Sequence, residues 1–135
     1  MKAHLLATLE NSKNYTLSVA AAMPEQGYAV RPTDEVWDFG ELLHHIAYGI
    51  QWWEENYILA NKTDWAPPAV KGSKREIIAA LEQAYAALKN TVGQGGLGED
   101  AVNGFHATID HITHHRGQAV LYLRCKGLTP PEYMY

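Results

Sequence analysis

A chain of 135 residues is the size of one domain, and with 47% hydrophobic residues it can bury a real core without disulfides or a structural metal. Its 15 acidic and 11 basic residues give a net charge of -4, without the basic stripe that phosphate-backbone binding needs, so no direct nucleic acid binding is expected. The lone Cys125 cannot form an internal disulfide, and the N-terminal stretch turns polar by Glu10, Asn11 and Lys13, so no signal peptide, no membrane span and a cytoplasmic setting are expected.

Along the chain the apolar spacing is helical almost throughout, and no run alternates strictly enough for a strand. The fold class expected is all-α. A first helix covers about His4 to Ala22, with Leu5, Leu9, Leu17 and Val19 among its apolar positions, and stops before Pro24 and Gly27. A loop through Tyr28, Arg31 and Pro32 follows. Asp38 with Glu41 three residues on forms a capping box for a second helix running to about Asn61. Asp64-Trp65-Ala66-Pro67-Pro68 breaks the pattern. Ser73 and Glu76 open a third helix through Ile77, Leu81, Tyr85 and Leu88, and the glycine-rich segment from Gly93 to Gly98 ends it. A fourth helix spans about Asn103 to Lys126, with Gly127 as its C′ residue and Pro130 and Pro131 beyond. Nothing divides the chain, so residues 1–135 read as a single four-helix bundle, a scaffold that builds metal sites between facing helices.

The chemistry concentrates in the fourth helix, which reads His111-Ile112-Thr113-His114-His115-Arg116-Gly117-Gln118. At about 100° per residue, His115 lies ~40° from His111, Gln118 about -20° and Tyr122 about +20°, while His114 is displaced by ~60° to the far side. Two imidazoles at i and i+4 reach one metal ion. On the second helix His45 shares a stripe with Glu41, Gly49, Trp52 and Asn56, and His44 points about 100° away. Gly49 would leave room above an ion, and Gly117 would permit a neighbouring helix to approach. Gln118, Tyr122 and Trp52 are the candidate pocket walls. Arg116 either orients an anionic substrate or is a solvated or ion-paired group. Glu41 either supports the His45 ring from behind or is used up by its capping box.

These residues also carry a family resemblance. The run from His111 to Gln118, continued by Tyr122-Leu123-Arg124, Gly127 and Pro130-Pro131-Glu132-Tyr133, resembles the C-terminal signature of the DinB-like superfamily. Phe39-Gly40-Glu41-Leu42-Leu43-His44-His45-Ile46-Ala47 resembles that family's second-helix motif. The resemblance implies an up-down-down-up four-helix bundle, commonly a homodimer, with one divalent ion per chain, zinc or nickel, held by His45, His111 and His115. It also implies an enzyme that activates a low-molecular-weight thiol cosubstrate for transfer to a small electrophile. The alternatives are a metal-dependent hydrolase of a small substrate and a non-catalytic metal-binding stress-response protein. Three neutral imidazoles leave the ion with open positions, which suits the binding of a small-molecule substrate better than a closed structural site.

Overall fold

The computed structural model describes residues 1–70 and 72–135. Its elements are α1 (Lys2–Ala22), a 3-10 turn (Glu25–Ala29), α2 (Phe39–Trp53) running on into a π-helical turn (Glu54–Ile58), α3 (Lys74–Gly93) and α4 (Glu99–Cys125), with no strand among the described residues. Both capping boxes form: the Asp38 side chain accepts from the Glu41 amide and that of Ser73 from the Glu76 amide, with each glutamate reaching back to its cap. Gly127 takes a φ of +78°, the left-handed conformation that ends a helix at little cost for glycine.

Side-chain contacts fix the helix directions. Lys74 near the start of α3 donates to Ala21 O at the end of α1, and Lys2 to Gly93 O, so these helices are antiparallel. A Cβ on Gly40 would lie 3.2 Å from Ile77, and Thr91 donates to Glu54, so α2 and α3 run the same way. His45 meets His115 while Tyr57 packs on Gly104, which sets α4 antiparallel to α2. The result is an up-down-down-up four-helix bundle. Between the helices lie Val19, Phe39, Leu43, Ile46, Ile50, Leu81, Leu88, Phe105, Ile112 and Leu123, all fully buried. Burying each side chain of this size contributes about 1.5–3 kcal/mol. The buried Tyr85 hydroxyl is satisfied by Ser12 and Thr16, both at 2.9 Å.

Three local expectations change. The α-helical part of α2 ends at Trp53 and the π-turn at Ile58, short of Asn61. α4 starts at Glu99 rather than Asn103, because Gly98 caps it and Glu99 and Asp100 put negative charge at the positive end of the helix dipole. Gly117 is exposed with nothing near its would-be Cβ, so it admits no neighbouring helix. Close approach happens at Gly104, where a Cβ would sit 2.8 Å from Tyr57 O, and at Gly49. No helix of the described residues is long and apolar enough to cross a membrane.

Candidate metal centre

The α2–α4 seam brings three imidazoles together. His45 Nε2 stands 3.1 Å from His111 Nε2 and 3.0 Å from His115 Nε2, and one nitrogen of each ring lies within 4.8 Å of the other two. His114 is exposed on the far side of α4, and His44 stays outside the cluster. His111 packs against Gly49, where a Cβ would come within 2.6 Å of its Cε1. The absent side chain is the space the ring occupies.

Protonation shows why this cluster suits a cation. Gln118 Oε1 accepts from His115 Nδ1 at 2.8 Å, so the single proton of neutral His115 sits on Nδ1 and its Nε2 bears a lone pair. His45 can point one Nε2–H at that lone pair, which leaves nothing to share with His111 at 3.1 Å. A cation among the three nitrogens removes the conflict. With metal–nitrogen bonds of about 2.0–2.1 Å and ligands about 90–110° apart, the nitrogens lie ~2.9–3.4 Å from one another, which brackets the two short contacts. Burial pushes His45 and His111 down to about 4, with the neighbouring imidazoles adding to the effect. Burial also lowers His115, against the opposing bond to Gln118. All three rings are therefore neutral ligands near pH 7, and the cluster can hold a metal ion.

The surroundings assign the other expected residues. The Glu41 carboxylate accepts from the Asp38 amide at 3.3 Å and from Arg31 at 3.1 Å, so it serves the capping box and, among the described residues, makes no hydrogen bond to His45. The side chain that orients a ligand ring is Gln118. Tyr122 is a wall of the adjoining cavity, but its hydroxyl donates to Trp37 O at 2.6 Å. That proton is used to hold the Trp37 segment and is not free for a developing anion. Trp52 is absent from that cavity's lining and packs instead on Trp65, with ring centroids 5.3 Å apart. Arg116 is buried on the opposite face, over the Tyr15 ring at 4.7 Å and donating to Ser12 O, so it is not an anion-orienting group of this site.

The DinB superfamily model matches residues 8–119. The chain belongs to the DinB superfamily. Among solved structures similar to this DinB chain, a DinB-like protein from Bacillus cereus shares its fold with a TM-score of 0.80, at 18% identity over 94% of this chain and 93% of the other. A DinB-like protein from Bacillus subtilis gives a TM-score of 0.73 at 16% identity, covering 97% and 98%. No curated protein matches the sequence significantly.

Two aromatic residues of this DinB bundle's site escape a reading confined to helix faces. Trp37 lies over His45 with centroids 4.6 Å apart, and Trp65 stands 5.5 Å from the same ring. Both sit in connections. Trp65 is positioned by its neighbour Ala66, whose amide donates to the Tyr48 hydroxyl, and by Asn56, which exchanges two bonds with Thr63. A tryptophan in an otherwise polar loop was the available signal, since such a ring needs a partner to cover it.

Proposed function

We propose that this protein is a divalent-metal-dependent enzyme whose ion, zinc or nickel, is held by Nε2 of His45, His111 and His115. The observation that carries this reading is the convergence of three neutral imidazole nitrogens, with two short contacts at one His45 Nε2 that can fill only one of them with a linear hydrogen bond. Membership of the DinB superfamily supports it. When bound, the ion supplies open positions at which a low-molecular-weight thiol is deprotonated, or a water acidified, at neutral pH. The protein's own residues do the rest. Gln118 holds the His115 ring in one tautomer, Trp37 and Trp65 shield the His45 ring from water, and the Tyr122–Trp37 bond keeps that cover in place. The reaction proposed is transfer of the thiol to a small electrophile, with hydrolysis as the counterpart when water takes the same position. The working unit is proposed to be a homodimer, and light scattering that gave the monomer mass of 15.0 kDa at micromolar concentration would count against this.

Elemental analysis of purified protein, coupled to a thiol-conjugation assay with a generic electrophile, tests the proposal. His111→Ala should lose stoichiometric metal and turnover together, whereas His114→Ala should retain both. Full metal content in His111→Ala would refute the ligand set. Turnover that survives complete metal removal would refute the metalloenzyme reading, and turnover without added thiol would select hydrolysis.

A further inference from the structure

On the His115 side of the cluster a groove of about 570 Å³ runs between the 32–37 segment and the C-terminal half of α4. Such a volume is ordinary for a small-molecule site. Along α4 the lining residues His115, Gln118, Tyr122 and Cys125 follow helical spacing, so the groove has His115 at one end and Cys125 at the other, about 15 Å away at 1.5 Å per residue. Its walls are apolar: Pro32, Val36, Trp37, Leu42 and Leu121 line it. Three of these are substantially exposed, Leu121 at 60%, Trp37 at 44% and Val36 at 40%.

The charge of the lining is equally informative. Glu35 is the single acidic residue among the lining residues, and no lysine or arginine joins it. Arg31 is paired with Glu41 and Asp38, and Arg116 lies against Tyr15. Along its walls an anionic ligand would therefore lose its water beside a carboxylate without meeting a basic side chain. Apolar walls that reach one ligand of the cluster, His115, and carry no basic side chain select what can lie there.

We infer that this groove binds the electrophilic substrate, and that this substrate is an uncharged molecule with an apolar body no longer than about 15 Å, its reacting end at His115. The inference rests on the reading of the triad as a metal centre. It also assigns the two reactants to different places, because a thiol cosubstrate bearing carboxylates finds no basic side chain along the groove.

Two dyes with nearly the same aromatic body test this, the neutral N-phenyl-1-naphthylamine and the anionic 1-anilinonaphthalene-8-sulfonate. Binding is followed by dye fluorescence and by the rate at which N-ethylmaleimide labels Cys125, which is exposed and is the only cysteine. The neutral dye should bind and slow labelling several-fold, and the sulfonate should bind at least about tenfold more weakly. Leu121→Glu, a change at an exposed position, should weaken the neutral dye by a similar factor. Glu35→Lys should strengthen the sulfonate. Equal or tighter binding of the sulfonate to the metal-stripped parent protein would overturn the inference, as would neutral-dye binding that leaves Cys125 labelling or the Leu121→Glu variant unaffected. A dimer that the neutral dye dissociates would make the groove an interface between copies and overturn it as well. Repeating the titration on metal-stripped protein keeps the two readings apart, since groove binding should persist without the ion while elemental analysis reports on the triad.

Discussion

Gly49→Ala isolates the geometry of the triad from its chemistry, because it adds one methyl and leaves all three ligand side chains in the sequence. That methyl would stand 2.6 Å from His111 Cε1 and 2.9 Å from Nδ1, so the ring must retreat by about 0.8 Å to reach the 3.4 Å at which ordinary contact begins. Metal–ligand distances tolerate only about ±0.2 Å. The ring therefore loses its place in the coordination shell or drags α4 away from α2. Disturbing a partner behind a ligand typically lowers affinity about 10–100-fold, and displacing the ligand itself should reach at least the upper end, roughly 2.7 kcal/mol. Helix propensity pushes the other way, since alanine in a helix interior is favoured over glycine by about 1 kcal/mol. Gly117→Ala supplies the control: nothing lies near its would-be Cβ, so it should gain that propensity, roughly 3–5 °C in thermal midpoint for a domain of this size, with unchanged affinity. Chelator competition measures the affinities and calorimetry the midpoints. Parent-like affinity in Gly49→Ala would mean that the His111 ring is free to move, or is not a ligand.

Three other changes probe the supports. Gln118→Ala removes the acceptor that fixes the His115 tautomer and should lower metal affinity about 10–100-fold by chelator competition; an unchanged value would refute the orienting role. Tyr122→Phe should cost about 1–3 kcal/mol by leaving the Trp37 carbonyl without its donor, and should lower turnover with metal content intact; loss of the ion would contradict this division of roles. Glu54 is 7% exposed, and burial raises its carboxyl from the ordinary 4.5, opposed by a bond from Thr91. Its folded value thus exceeds its unfolded one, so ionising it destabilises the fold as pH rises above 4.5. Glu54→Gln should accordingly raise the thermal midpoint by a few degrees at pH 8 and hardly at all at pH 4, and a gain independent of pH would refute the cause.

Helix faces and caps were legible in the residues because both follow local rules. The Asp38 and Ser73 boxes depend on side chains three residues apart, and the convergence of His45, His111 and His115 follows from helical period once α2 and α4 face each other. What eluded the pattern depended on contacts distant in sequence. Trp37 and Trp65 come to the triad through loop paths that no periodicity encodes, while Trp52, on the His45 stripe, is drawn off by Trp65. Glu41 shows two local roles competing for one carboxylate, and the capping box with Arg31 wins. Gly117 and Gly49 are indistinguishable as residues in predicted helices, yet only Gly49 has a ring against it.

Gly104 never approaches the histidines, but it acts as the stop that sets their height. Its missing side chain lets Tyr57's backbone rest directly on α4, and His111 follows two turns later on the same face. Sliding α4 by a single residue would carry both of its imidazoles about 1.5 Å past His45, several times the tolerance of a coordination bond. Two glycines thus divide the positioning of the ligands: Gly104 gauges how far along the seam α4 sits, and Gly49 how close the ring may come across it. A bulkier residue at position 104 would therefore detune the ion site from a distance of roughly 10 Å along the helix, with every ligand still present.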